Sequence, residues 1–248
     1  MRDVMPSLAQ IETTTCCVGE CSFCPHAAVT QGRPVLMPMD TFVRVLQRIE
    51  EARSFETVYL FGNGDPFCDV RLPQLVQLVP QKLRVVLYTT LGMRLTHEMR
   101  MVAARCSVIL SAAELSAERQ RVRAENMQQV VVSAVHAIEP MKPLGQMLAK
   151  EIGAPLWVFP KYNWLGKVDA PGAVPQGRCR RPLHDMYVLT DGTVTLCCMD
   201  GAGEHARGNL LNESVAEIWA KATTQQYGTE LRATLPGCNV CTCSGESV

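Results

Sequence analysis

Three cysteines near the N-terminus of the 248-residue sequence have the type and spacing of metal ligands. They lie in the run Cys17-Val-Gly-Glu-Cys21-Ser-Phe-Cys24, directly after a stretch over 9–15 that predicts a β-strand. Three thiolates at this spacing can converge on one side of a compact loop, with no fourth ligand nearby. A closed zinc site needs four protein ligands, whereas an iron-sulfur cluster held by three cysteines keeps one iron open. The residues alone leave a structural zinc loop as the alternative.

A second group of cysteines occupies the last third of the chain. The sequence has 12 cysteines and no apolar run behind its first residues that would indicate an export signal. In a reducing compartment such cysteines indicate metal binding or catalysis rather than disulfides. We therefore expect a cytoplasmic protein with two metal sites. The second group contains Cys179, Cys197, Cys198, Cys238, Cys241 and Cys243.

Composition narrows the class of protein. Hydrophobic residues make up 47% of the chain, which is enough to bury a substantial core. The formal net charge is zero, so we expect no general nucleic-acid binding. No stretch approaches the roughly 18 apolar residues of a membrane span, so no membrane contact is predicted.

The first two thirds of the chain alternate between strand and helix patterns. Apolar β-rich runs predict strands over 9–15, 57–61, 84–88, 107–111, 130–135 and 156–159. Helical spacing of apolar residues predicts helices over 39–52, 72–81, 96–105, 116–129 and 142–152. Such alternation favours an α/β fold with a parallel sheet and functional residues at the carboxyl ends of the strands. Six strands predict a partial (β/α)6 TIM-like barrel.

The pattern changes near residue 172. A loop rich in Pro and Gly over 171–177 precedes a predicted hairpin over 186–196 that turns at Asp191-Gly192. Ser214 and Glu217 have the spacing of a capping box at the start of a helix. We predict a barrel core over 1–171 and a small subdomain of hairpin and helix, which carries the auxiliary cluster, over 172–248.

The N-terminal part resembles the radical S-adenosylmethionine (SAM) enzymes. In that family three cysteines at this spacing bind a 4Fe-4S cluster, and SAM chelates the open iron. The resemblance makes Cys17, Cys21 and Cys24 the cluster ligands and the catalytic centre. A Gly-Gly-Glu-Pro-like segment of the family is similar to Asn63-Gly64-Asp65-Pro66 here, with Asp in place of Glu. The SAM-binding residues that the resemblance implies are Phe23, Asn63, Gly64, Asp65, Ser111, Arg121 and Arg123.

The C-terminal part resembles the SPASM or shorter twitch extension of a subset of these enzymes. The resemblance implies a second, auxiliary 4Fe-4S cluster with Cys179, Cys197, Cys238 and Cys241 as its four ligands. Cys197 is preferred to Cys198 because neighbouring side chains on a strand point to opposite faces. Cys243 is a replacement ligand. A structural zinc ribbon is the alternative for this group of cysteines.

The implied activity is reductive cleavage of SAM to a 5'-deoxyadenosyl radical, which takes hydrogen from a carbon of the substrate. The compact architecture resembles the aminocyclitol dehydrogenases, which favours an oxidoreductase. Those relatives have Asn-Arg-Gly-Gly where this chain has Asn163-Trp-Leu-Gly166, and Asn163 and Trp164 are candidate substrate contacts. Other substrates are a peptide, a nucleoside or a modified base, and flavodoxin or ferredoxin would supply low-potential electrons. A non-catalytic zinc or iron-sulfur binding module is the hypothesis from another class.

Overall fold

The computed structural model describes residues 5–31 and 33–243. In the first two thirds of the chain, strands alternate with helices as predicted. The strands are β1 (Leu8–Ile11), β2 (Thr57–Tyr59), β3 (Arg84–Thr89), β4 (Ser107–Ser111), β5 (Ala134–Ile138) and β6 (Leu156–Phe159). The helices are α1 (His26–Thr30), α2 (Met39–Ala52), α3 (Leu72–Leu78), α4 (His97–Ala103), α5 (Ala117–Met127) and α6 (Lys142–Ile152).

The last third contributes shorter elements. They are the helix α7 (Arg181–His184), the strands β7 (Asp185–Val188), β8 (Thr193–Val194) and β9 (Gly208–Asn209), and the helices α8 (Val215–Ala220) and α9 (Ala222–Thr229). The turn between β7 and β8 contains Asp191 and Gly192, as predicted, and Gly192 has a φ of +84°. The capping box of α8 is also present, because Ser214 and Glu217 each bond the backbone N–H of the other.

One sheet contains all nine strands of the described residues, in the order β6-β5-β4-β3-β2-β1-β7-β8-β9. Neighbouring strands in the series β6-β5-β4-β3-β2-β1-β7 are parallel, and the pairs β7-β8 and β8-β9 are antiparallel. The predicted α/β partial barrel is confirmed, with β7 as an additional parallel strand beside β1. The sheet therefore continues across the domain boundary near residue 172, and that boundary stays a prediction.

Alternation along the strands creates two faces. Ala9, Val58 and Leu87 are fully buried on the outer face, where the amphipathic helices pack. Phe42, Val45 and Ile49 of α2 fill this layer at helical spacing. The residues in between point to the inner face, so the inside of the barrel is lined by every second residue of each strand.

Strand β5 begins later than predicted. The prediction over 130–135 is wrong, because α5 ends at Met127 and the chain then crosses the surface, where Val131 is 80% exposed. Pairing starts only where Ala134 meets Ile109 of β4 and Val135 meets Leu156 of β6. The later start brings His136 into the strand.

No helix of the described residues is long and apolar enough to cross a membrane. The first four residues, on which the expected lack of an export signal partly depends, lie outside the described part of the chain. The cytoplasmic location stays a prediction.

Candidate SAM and iron-sulfur sites

The inner face of the barrel encloses a cavity of about 260 Å³. Its lining includes the three cysteines of the N-terminal loop and the loop over 62–65 that follows β2. The barrel strands contribute further lining residues, among them Ser111 and His136. The cavity therefore lies where parallel strands of a barrel place functional residues.

The N-terminal cysteine loop holds its sulfur atoms close together. A Cβ atom on Gly19 would lie 3.5 Å from the Sγ of Cys17 and 3.3 Å from the Sγ of Cys21, so both sulfurs flank this glycine. The loop is braced by Glu114, whose carboxylate accepts hydrogen bonds from the backbone N–H and the hydroxyl of Ser22. All three thiols are free. Three adjacent free thiols that border one cavity fit an iron-sulfur cluster with an open iron.

The environment of these thiols favours their neutral form in the protein alone. Burial raises the pKa of Cys17 and Cys21 to about 12, and it also raises the pKa of Cys24. A metal cluster needs thiolates, so its binding must release protons from this loop.

The loop after β2 is fixed against the cysteine loop. A Cβ on Gly64 would lie 2.3 Å from the carbonyl oxygen of Thr14, so only glycine fits. The backbone N–H of Asp65 donates to the carbonyl of Cys16 at 2.8 Å. The backbone N–H and the side-chain amide of Asn63 both donate to the carboxylate of Glu12, at 2.7 and 2.6 Å.

The Asp65 carboxylate is engaged within the chain. It accepts from the hydroxyls of Thr89 and Thr90 and from the backbone N–H groups of Thr90 and Phe67. The side chain is 3% exposed, and this burial raises the pKa of the carboxyl although the four donors oppose the shift. The carboxylate thus holds the turn after β3 against the turn after β2. Its predicted contact with SAM stays a prediction.

Only some of the other predicted SAM contacts line the cavity. Phe23 and Ser111 line the cavity together with Asn63 and Gly64. Arg123 is 4% exposed, donates to the carbonyl of Ala113 at 3.3 Å, and lies close enough to Cys21 for their charges to interact. Arg121 is exposed on another side of α5 and is not brought to the cavity.

The distal cysteines pack together in a separate cluster. Cys197, Cys238, Cys241 and Cys243 are buried with Leu196, Met199 and Leu235. Burial raises the pKa of Cys197 and Cys238, and Cys179, itself 8% exposed, lies close enough to both to add to the shift. The predicted four ligands are therefore neighbours, and Cys243 lies beside Cys241 as a potential fifth. Among the described residues, no group of three or more His, Cys, Asp or Glu is arranged to hold a single metal ion.

Cys198 packs against this cluster in the turn that follows β8, so the strand alternation used to prefer Cys197 does not apply and that preference stays a prediction. It borders the barrel cavity and accepts a hydrogen bond from the Nη1 of Arg181 at 3.2 Å. Burial raises its pKa to about 11, although the arginine opposes the shift.

The loop after β6 connects the two cysteine sites. Asn163 exchanges hydrogen bonds with Thr242 and donates to the carbonyl of Val240, so it is tied to the segment of the last cysteines. Trp164 packs against the distal cluster and donates from Nε1 to the carbonyl of Phe23 at 3.1 Å. Trp164 and Leu165 both have positive φ, 49° and 54°, a conformation that costs energy for bulky side chains. The tryptophan thus links the N-terminal loop to the distal cysteines.

Sequence reasoning missed a row of aromatic side chains inside the barrel. Consecutive ring centroids are 4.7–5.8 Å apart along Tyr59, Phe61, Tyr88, His136 and Phe159. We call these five residues the aromatic row. Correct bounds for β5 would have placed His136 on the inner face by simple alternation.

Comparison with known proteins agrees with this geometry. Residues 179–243 match the SPASM family, an iron-sulfur cluster-binding domain. The match begins and ends at cysteines and covers the distal cluster. No curated protein sequence is detectably similar to the chain.

Solved structures share the fold across nearly the whole chain. The crystal structure of BtrN in complex with AdoMet and 2-DOIA has a TM-score of 0.66 at 15% identity, over 98% of this chain and 95% of that one. Streptococcus suis SuiB bound to precursor peptide SuiA has a TM-score of 0.72 at 12% identity, over 96% and 70%. Native anSMEcpe with bound AdoMet has a TM-score of 0.67 at 14% identity, over 90% and 82%.

These comparisons confirm, at the level of the fold and of the C-terminal domain, the resemblance to radical SAM enzymes with a SPASM or twitch extension. They also support iron-sulfur clusters and SAM as the cofactors.

Proposed function

We propose that this chain is a radical SAM enzyme with one auxiliary cluster. The observation that carries the proposal is that Trp164 connects two cysteine sites, of which the N-terminal one borders the cavity. Three thiols of the N-terminal loop border the cavity, and a second group of at least four lies behind Trp164. When bound, a reduced 4Fe-4S cluster with SAM supplies a 5'-deoxyadenosyl radical that removes hydrogen from an unactivated carbon.

Each part of the cavity has a role in this proposal. Cys17, Cys21 and Cys24 would hold the first cluster. Phe23, Ser111 and the loop over 62–65 would bind SAM, with the Asp65 carboxylate fixing that loop. Arg123 does not border the cavity, and its proposed part in SAM binding depends on its closeness to Cys21. Arg121 is not part of the proposal, because it lies away from the cavity.

The walls of the cavity suit a reactive intermediate. The aromatic row gives one side of the cavity a mostly apolar surface, and a substrate packed against it would displace water from that side. Cys179, Cys197, Cys238 and Cys241 would hold the auxiliary cluster, close to the wall formed by Cys198 and Met199.

The reaction outcome we favour is dehydrogenation of a small molecule. The support is architectural, since BtrN, whose structure contains 2-DOIA, is matched over almost its full length. Modification of a peptide is the alternative, because SuiB bound to its precursor peptide has the same fold. A flavodoxin or ferredoxin would supply the electrons.

The first experiment is anaerobic reconstitution with iron and sulfide, followed by addition of dithionite and SAM. We expect 5'-deoxyadenosine, and we expect Cys21→Ala to abolish it. Cys106→Ala is the matched control, because Cys106 lies just before β4 and does not border the cavity. Absence of 5'-deoxyadenosine from the wild-type protein under every reduction condition would refute the proposal.

A second experiment addresses the auxiliary site. Replacement of Cys17, Cys21 and Cys24 together by alanine should leave about four irons per chain, because the distal cysteines would hold a complete cluster. Retention of zinc alone would remove the redox role of this site.

A further inference from the structure

One polar side chain in the aromatic row has no role in the proposed binding of either cluster. His136 lies on the inner face of β5 between Tyr88 and Phe159, with ring centroids 5.2 and 4.7 Å away. Contacts on both sides fix the plane of the imidazole. The ring therefore presents a defined edge to the cavity that it lines.

Tyr88 lies between Ser111 and the Nδ1 of His136, so the position of its single hydroxyl proton decides which nitrogen of His136 carries a proton. The Tyr88 hydroxyl donates to the hydroxyl oxygen of Ser111 at 3.3 Å and also contacts the Nδ1 of His136. A hydroxyl has one proton. With that proton on the Ser111 side, Nδ1–H must donate to the Tyr88 oxygen, and Nε2 carries the lone pair.

The Nε2 atom is the ring nitrogen of His136 that Tyr88 does not contact, and the residue lines the cavity. This nitrogen has no hydrogen-bond partner in the part of the chain that the structure describes, and it is not among the fully enclosed unpaired atoms. Burial lowers the pKa of His136 to about 4, so the ring is neutral near pH 7. A neutral imidazole in this tautomer offers one hydrogen-bond acceptor to whatever occupies the cavity.

The charged side chains of the cavity wall include an opposed pair. Burial raises the pKa of the Asp185 carboxyl, and Arg181 lies close enough to oppose this shift. Their charges offset each other on that side of the cavity. Lys161 lines another part of the cavity, so a charged group elsewhere on the substrate is compatible with a hydrogen bond at His136.

We propose that Nε2 of His136 positions the substrate by accepting a hydrogen bond from it. The substrate class is a molecule whose part at His136 is an uncharged apolar framework with an O–H or N–H donor. The framework would pack against the aromatic row. This inference rests on the proposed function, because it concerns the substrate of the same cavity.

The test compares two probes of nearly equal shape. Cyclohexanol has an O–H donor, and cyclohexanone offers only an acceptor. We expect the reconstituted protein with SAM to bind cyclohexanol about 3- to 10-fold more tightly than cyclohexanone, the range expected for one net hydrogen bond. Binding is measured by saturation-transfer NMR of the probes.

Two variants locate the preference. In His136→Phe the preference for the alcohol should disappear, whereas in Tyr59→Phe, which removes a hydroxyl elsewhere in the aromatic row, it should remain. Equal binding of the two probes to the wild-type protein, no binding of the alcohol, or an unchanged preference in His136→Phe would overturn the proposal.

Two further measurements distinguish a contact with the substrate from a contact with the cofactor. Nitrogen-15 NMR of His136 should show the Nδ1–H tautomer, and the Nε2–H tautomer would overturn the proposal. The affinity for SAM should be unchanged in His136→Phe, and a loss of affinity would overturn the proposal by assigning the residue to the cofactor. Absence of 5'-deoxyadenosine from the wild-type protein would refute the proposed function alone, because the probe preference does not depend on SAM cleavage.

Discussion

Replacement of Gly64 by alanine tests how tightly the loop over 62–65 is held against the cysteine loop. The added Cβ would lie 2.3 Å from the carbonyl oxygen of Thr14, which is 0.7 Å inside the 3.0 Å that real Cβ contacts respect. It would also lie 2.7 Å from the carbonyl oxygen of Cys16. All these neighbours are backbone atoms, so the loop must move as a unit.

This movement lowers the free energy of unfolding through two effects. It would strain or break the hydrogen bond from the N–H of Asp65 to the carbonyl of Cys16, worth about 1 kcal/mol. Forced overlap in a well-packed region adds about 1–3 kcal/mol. We therefore expect a loss of about 2–4 kcal/mol, which in a domain of this size lowers the Tm by at least about 4 °C.

A matched control separates the overlap from the general effect of removing a glycine. Gly153 ends α6 with a φ of +69°, and no atom lies within 4 Å of the position of its Cβ. Gly153→Ala should cost only about 1 kcal/mol, from the left-handed backbone alone.

The assay is thermal unfolding followed by circular dichroism, together with the iron content after reconstitution. Because Cys16 precedes the first predicted ligand, Gly64→Ala should also lose iron, whereas Gly153→Ala should not. Equal Tm values and equal iron content for the two variants would refute the reasoning.

Three further predictions follow from single contacts. As the pH falls from about 6.5 to about 4, His136 takes up a proton in the unfolded chain but not in the folded chain. The free energy of unfolding should therefore fall by up to about 3 kcal/mol through this residue. In urea titrations His136→Phe should remove this part of the pH dependence, and an unchanged dependence of the unfolding free energy on pH would contradict the prediction. Trp164→Phe loses the bond to the carbonyl of Phe23 and should lower the Tm by about 2–4 °C, for a loss of about 1 kcal/mol. Trp157→Phe, which removes no hydrogen bond that the described residues show, should have a smaller effect, and the reverse order would contradict the role of this bond. Ser214→Ala should cost about 1 kcal/mol in urea unfolding because it removes the N-cap of α8, and Ser214→Gly only a few tenths; equal losses would argue against the cap.

The sequence predicted those parts of the fold that depend on local pattern. The bounds of α2 and α6 agree with the structure because their apolar faces and end signals are strong, including Gly153 at the end of α6. Strands β4 and β6 agree for a similar reason, since short apolar runs are bounded by turn residues. The two groups of cysteines could be recognised because ligand spacing is a local property of the chain.

Features that depend on distant partners could not be predicted in the same way. Asp65 is adjacent to Pro66 and reads as a turn residue, but three of its four donors belong to Thr89 and Thr90, 24 and 25 residues further on. The bond from Trp164 to the carbonyl of Phe23 spans 141 residues. The start of β5 was misplaced because three valines over 130–132 have high strand propensity, whereas pairing with β4 and β6 decides the register.

The position of β7 beside β1 has a consequence for the order of folding. Strand β1 pairs on one side with β2, which follows within about 50 residues, but its other edge stays open until Asp185–Val188 has been synthesised. An open parallel edge is a template for pairing with other chains, and contacts of such long sequence separation form slowly. A nascent chain that ends before residue 185 should therefore be prone to aggregation. The cysteine loop follows β1, so on the ribosome the strand that supports this loop is paired on one side only. We therefore expect the cluster to be inserted after the chain is released.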